Sequence, residues 1–205
     1  MLVIVDYGVG NLSSIQNMIK KGGNQSIISG DIDTVANASK ILLPGMGHFD
    51  NCMIKLKASG LLPAIEKKVF EEKIPLLGIC VGLQMFMHSS EEGSEPGLGW
   101  IHGKTVRFDT TRMDTNTFRI PNMGWLDVKP VKPSSLFAGL EDSRFYFAHT
   151  YHVKVDNNLD EMVMANYGYN FTAGIECGNI VGVQFHPEKS HRFGMQLLKN
   201  FIERY

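Results

Sequence analysis

The chain has 205 residues, 43% of them hydrophobic and 20% charged, with a formal net charge of −1. That length is enough to bury one full core, so a single domain over 1–205 is expected. The balanced charge excludes the electrostatic footprint of a nucleic-acid binder or of a protein held on an acidic membrane, and no apolar run approaches the roughly 20 residues that span a bilayer.

The opening "MLVIVDYG" lacks the basic leader and cleavage site of a signal peptide and reads as a buried strand. "NLSSIQNMIKKGG" follows, with Leu12, Ile15, Met18 and Ile19 at helical spacing. Asn11 is placed to cap that helix, and Gly22 and Gly23 to stop it. A short strand over 26–29 comes next, then "KILLPGMGHF", a strand running into a Pro/Gly turn. Helical patterns cover 50–57 and 61–72, "IPLLGI" is another strand, and a helix begins near Val81. Strands alternating with helices predict an α/β fold with a mostly parallel central sheet covered on both faces. Met113 to Asn116 is polar and reads as a mobile loop. Beyond it the character changes. "FYFAHTYHVKV", "EMVMAN", "FTAGIECG" and "NIVGVQF" are strand-like with short turns between them, which adds antiparallel strands to the same core. "GMQLLKNFIERY" closes the chain as an amphipathic helix.

"DYGVGNLS" invites a dinucleotide reading, but Ser13 stands where the third glycine would allow close helix packing. It is read as a tight strand-to-helix turn, and no NAD site is expected. The three cysteines, Cys52, Cys80 and Cys177, are odd in number and widely spread. A disulfide framework and a zinc ribbon are both excluded, and a reducing cytoplasm is the expected location.

Cys80 is framed by Gly78 and Gly82, the G-x-nucleophile-x-G shape of a strand that turns sharply into a helix. The flanking glycines predict an exposed apex, and the following helix start would lower the thiol pKa and offer N–H groups to an oxyanion. A cysteine nucleophile needs a base. Among seven histidines, His186 in "GVQFHPEKS" ends a strand-like run and has Glu188 two residues on. In extended chain those two side chains point the same way, so Glu188 can orient the imidazole. The turn "LLPGMGHF", with Gly45 and Gly47, can aim a second backbone N–H outward.

Together, "GICVGLQ" and "HPEKS" resemble the class I (triad-type) glutamine amidotransferases. "DYGVGNLSS", "LPGMGHFD", "SSEEG", "PNMGW", "HTYH" and "FHPEKS" are similar, in that order, to the glutaminase subunits of imidazole glycerol phosphate synthases. The resemblance covers nearly the whole chain. It implies a flavodoxin-like three-layer fold and a Cys80, His186, Glu188 triad acting on L-glutamine. It implies an oxyanion hole at Gly47 and Val81, and glutamine contacts from Gln84, Glu92, Thr150 and Tyr151. Asn11, Trp125 and Lys189 match positions facing a partner, a (β/α)8 synthase subunit that receives ammonia in a heterodimer. No metal or organic cofactor is implied. The sequence departs from the family pattern at Asn122, where histidine is usual, at Leu126 and at Val81. Asn122 and Leu126 fall near the expected partner surface. They leave open a paralogous role supplying ammonia to a synthase that modifies surface-polysaccharide sugars. A cysteine peptidase-like hydrolase shares the elbow and the layering, and a regulatory module on a degenerate fold would lack thiol chemistry.

Overall fold

The computed structural model describes residues 1–205. The apolar run Leu2–Val5 forms β1, buried along its length, and the helical spacing after it forms α1 (Leu12–Lys21), which buries Ile15 and Ile19. β2 (Ile27–Ser29), α2 (Ile32–Ala36), β3 (Lys40–Gly45), α3 (Phe49–Ala58) and α4 (Leu62–Glu66) follow. The predicted helix over 61–72 is α4 continued by one π-helical stretch, Lys67–Glu71. β4 (Leu76–Cys80) leads directly into α5 (Val81–Gln84).

The second half holds β5 (Ser89–Ser90), β6 (Gly103–Arg107), β7 (Asn122–Pro130), β8 (Arg144–His149) and β9 (Tyr151–Val155). β10 (Glu161–Tyr167), β11 (Tyr169–Cys177), β12 (Ile180–Val183) and α6 (His191–Arg204) complete it. β2, β1, β3, β4 and β12 lie side by side in parallel, and β11, β10, β7 and β8 extend the sheet antiparallel. β9 pairs antiparallel with both β11 and β6. α1 packs on α6, and α2 on α4. One core of 52 buried hydrophobic residues runs through these layers.

Several elements and loops depart from the sequence reading. Asn11 occupies the N-cap position of α1 but makes no side-chain capping bond. "FYFAHTYHVKV" is two strands, because the chain bends at Thr150 and changes neighbours from β7 to β6 and β11. The loop containing Met113 to Asn116 is tied by Asp114, which accepts from the Asn116 N–H at 3.0 Å and the Thr117 hydroxyl at 2.8 Å. β6 and β7 form in stretches to which the sequence reading assigns no element, with Gly124 inside β7 and Pro130 at its end.

The tips of β3 and β4 meet where the site forms. Gly45 pairs with Cys80 across the two strands. A Cβ on Gly45 would lie 2.3 Å from the Gly82 nitrogen, and one on Gly82 would lie 2.1 Å from the Leu43 carbonyl oxygen. Only glycine lets these two backbones approach so closely.

Candidate active site

Cys80 ends β4 with φ 55° and ψ −113°, a left-handed backbone that a non-glycine residue adopts only under constraint. It is 4% exposed. The expectation of an exposed apex is therefore corrected: pairing with Gly45 draws the elbow into the end of the sheet, and the thiol meets solvent only through a pocket. α5 is a single turn long, so its dipole is weak and the sulfur depends on other groups for charge compensation.

That group is His186, which is 3% exposed. Its Nδ1 lies 2.9 Å from Glu188 Oε1, which leaves Nε2 free to serve the Cys80 sulfur beside it in the same pocket. The route to this contact differs from the predicted one. β12 stops at Val183, and Pro187–Lys189 is a tight 3-10 turn, not extended chain. The turn is held by the Lys189 N–H on the His186 carbonyl at 3.0 Å and the Ser190 N–H on the Pro187 carbonyl at 2.9 Å. Burial depresses the imidazole pKa. The negative charge of the adjoining Cys80, and then the bond and charge of Glu188, more than offset it and push His186 up to about 10. The arrangement suits a thiolate beside an imidazolium.

Cys80 and His186 open onto a pocket of about 380 Å³. Gly47, Val81, Gln84 and Glu92 line it, as do Thr150, Tyr151 and Lys189. Glu188 sits behind His186. Gly47 has φ +87° and nothing within 4 Å of its Cβ position, so it is free of the packing that fixes Gly45. The turn before it is held by the Tyr7 hydroxyl on the Pro44 carbonyl at 2.6 Å and the Cys52 thiol on the Met46 carbonyl at 3.4 Å. Gln84 is 2% exposed. Its Nε2 donates to the Tyr151 carbonyl at 2.9 Å and to Gln184 Oε1 at 3.1 Å. Glu92 Oε2 accepts from the Phe49 N–H at 2.9 Å, at the start of α3.

Asn11 and Trp125 lie outside the pocket. Trp125 stacks on His191 with the ring centroids 5.5 Å apart. Asn122 is 1% exposed and its amide lies 3.0 Å from His149 Nε2. This corrects its placement near a partner surface: β7 turns that side chain inward onto the pocket wall.

Two buried residues in or beside the pocket were not singled out from the sequence. His149 lines it, with burial driving its pKa down to about 3 against the opposing bond to the Tyr151 carbonyl. Gln184 lies beside Cys80, its Nε2 3.7 Å from the sulfur. Both stand inside stretches already notable for other residues, "HTYH" and "GVQFHPEKS".

The family model described as "Glutamine amidotransferase class-I" matches residues 3–204. The chain belongs to this family. The amidotransferase is 47% identical over 205 residues to imidazole glycerol phosphate synthase subunit HisH 2 of Methanococcus maripaludis, covering all of both chains. It is 47% identical over 204 residues to imidazole glycerol phosphate synthase subunit HisH of Bdellovibrio bacteriovorus, covering 99% of this chain and all of that one. Among solved structures, one titled "Crystal structure of glutamine amidotransferase" matches with a TM-score of 0.75 at 17% identity, covering 98% of this chain and 97% of the other. PurLQS from Thermotoga maritima matches with a TM-score of 0.71 at 17% identity, covering 98% and 96%. These two structures share the amidotransferase's fold, as the parallel sheet with antiparallel additions and flanking helices requires.

Proposed function

We propose that residues 1–205 act as one glutaminase domain, the subunit of an imidazole glycerol phosphate synthase that releases ammonia from L-glutamine. The observation that carries the chemistry is His186, bonded to Glu188 through Nδ1 and lining one pocket together with Cys80. The Cys80 thiolate attacks the side-chain amide carbon of glutamine. The resulting oxyanion is taken by the backbone N–H groups of Gly47 and Val81. His186 gives its proton to the departing nitrogen, the C–N bond breaks, and ammonia leaves a γ-glutamyl thioester on Cys80. His186, now neutral, takes a proton from water as it attacks the thioester, and glutamate is released with the thiolate restored. Glu188 keeps the imidazole oriented throughout. Gln84 has both its N–H groups directed at protein acceptors, so its carbonyl oxygen is what it offers to glutamine. Glu92, Thr150 and Tyr151 complete the grip. No cofactor enters this sequence.

The acceptor of the ammonia is a (β/α)8 synthase partner, bound on the face that carries Asn11, Trp125 and Lys189. Relatives at 40 to 47% identity over the full chain are named as subunits of imidazole glycerol phosphate synthase, so a surface-sugar synthase is not favoured. Three free cysteines fit a reducing cytoplasm as the place of work. The test is Cys80→Ala in the complex. Glutamine-dependent product formation is expected to fall to background while ammonium-dependent formation is retained. Glutamine turnover surviving in the variant would remove Cys80 from the mechanism.

A further inference from the structure

We propose that Gln184 is a further catalytic residue, whose side-chain amide donates an N–H to the Cys80 sulfur and favours the thiolate over the thiol. The proposal rests on the reading of Cys80 as the nucleophile. Gln184 follows the end of β12 and is fully buried, and its backbone is fixed by an N–H bond to the Ala173 carbonyl at 2.9 Å. Its side chain spans Gln84 Nε2 at 3.1 Å and the Cys80 sulfur at 3.7 Å.

Which end of the Gln184 amide faces the sulfur follows from the far end of the chain of bonds. The Tyr151 carbonyl can only accept. Gln84 lies 2.9 Å from it and must therefore present its NH₂. That NH₂ also faces Gln184, which must answer with its carbonyl oxygen. The Gln184 NH₂ is then left pointing at Cys80. His149 reinforces the same carbonyl: its Nδ1 lies 2.8 Å from the Tyr151 oxygen, so Nδ1 carries the proton, and Nε2 accepts from Asn122 at 3.0 Å. One backbone carbonyl thus sets the polarity of a buried line running from Asn122 through His149, Tyr151, Gln84 and Gln184 to Cys80. Reversing Gln184 would set two NH₂ donors against each other and an oxygen against the sulfur, all of them buried.

A thiol sulfur is a weak acceptor, whereas a charged acceptor makes a much stronger bond. A fixed donor therefore favours the thiolate selectively. The titratable groups facing the sulfur are His186, with Glu188 behind it, and Tyr7 and Cys52. His186 supplies the countercharge, and it must also move its proton during turnover. Gln184 supplies a donor that does not leave.

The experiment is alkylation of Cys80 by iodoacetamide in the full chain without glutamine, in a Cys177→Ser background that removes the exposed thiol. Gln184→Met keeps length and loses the donor. Its alkylation rate at pH 6.5 is expected to fall about tenfold, the usual worth of a hydrogen bond to a charged group, and to converge with the parent rate at high pH. Gln184→Glu, which presents an acceptor, is expected to fall further. Parent-like alkylation of a folded Gln184→Met protein at pH 6.5 would overturn the proposal. In the parent protein, independently of any Gln184 variant, the exchange-protected side-chain N–H signals of ¹⁵N-labelled Gln184 are expected to shift when Cys80 is alkylated. Unmoved signals would overturn it as well. Glutamine is absent from both measurements, so their failure is separable from failure of the glutaminase reading, which Cys80→Ala turnover decides.

Discussion

Glu188 reaches His186 with one carboxylate oxygen and leaves the other buried without a hydrogen-bond partner. Removing the imidazole would strand a buried carboxylate, which destabilises more than losing the pair as a whole. His186→Ala is therefore expected to cost about 3–5 kcal/mol in urea unfolding, and His186→Ala with Glu188→Gln to recover part of it. The two buried histidines of the site act oppositely with pH. His186, raised to about 10 from 6.5, contributes stability in full below about pH 6.5 and loses it as pH rises towards 10. His149, lowered to about 3 from 6.5, contributes in full above about pH 6.5 and loses it as pH falls towards 3, because the unfolded chain binds a proton that the folded one refuses. The melting temperature should therefore fall on both sides of neutrality, and His149→Gln should flatten the acid side. An acid limb unchanged in that variant would assign the loss to other groups. Cys80, His186 and Glu188 were legible in the sequence because their signals are local: a glycine frame and a His-Pro-Glu triplet. His149 and Gln184 were not, because their meaning arises only when β8 and β12 bring them to the elbow.

At the level of elements, the site is the place where β3 and β4 end side by side, and its two glycine roles separate there. Gly82 is needed for packing. Its Cβ would strike the Leu43 carbonyl, a backbone atom inside a paired strand that cannot yield. Gly82→Ala is expected to lower stability by about 3 kcal/mol or more, read as the shift in urea midpoint, or to prevent folding. Gly47 is needed for conformation. Alanine has room there, but a φ of +87° strains it by about 1–2 kcal/mol. The Tyr7 and Cys52 bonds to the preceding turn resist any relaxation of that strain. On the proposed mechanism, Gly47→Ala should keep the fold and the alkylation rate of Cys80, and lose at least about tenfold in glutamine turnover with partner present. Turnover equal to the parent would take Gly47 out of the oxyanion hole. The parallel half of the sheet was readable because β1, β3 and β4 are buried on both faces and appear as unbroken apolar runs. The antiparallel half was readable only in part. β7 buries only Asn122 and Val128, shows no alternation between them and carries a glycine, and the hop at Thr150 from one neighbour to another leaves no mark on a period-two pattern.

For the whole molecule, the pocket mouth and the surface around it set what a partner must do. Met123 is 65% exposed and Met46 38%, and both line the pocket. Lys189 lies 5.7 Å above the Tyr146 ring, and Tyr146 in turn packs edge-on against Trp125. Asn11 follows Gly10, whose Cβ position is 3.0 Å from Pro44 in the turn that carries Gly47. The three residues proposed to face the partner thus stand next to the elements that build the pocket. Ammonia escaping from an open mouth at neutral pH would be protonated and lost as a nucleophile, so on the proposed function a partner would have to seal this surface as well as dock on it. Trp125 is the large aromatic of the set, the residue type that most often anchors an interface. Trp125→Ala is expected to weaken the complex by about 2 kcal/mol, roughly thirtyfold in Kd, with the melting temperature of the free subunit little changed. At concentrations that restore full binding, the ratio of glutamine consumed to product formed should rise above that of the parent, with the excess recovered as ammonium in the medium. Unchanged affinity together with an unchanged ratio would move the partner to another face, while the chemistry assigned to Cys80 and His186 would stand.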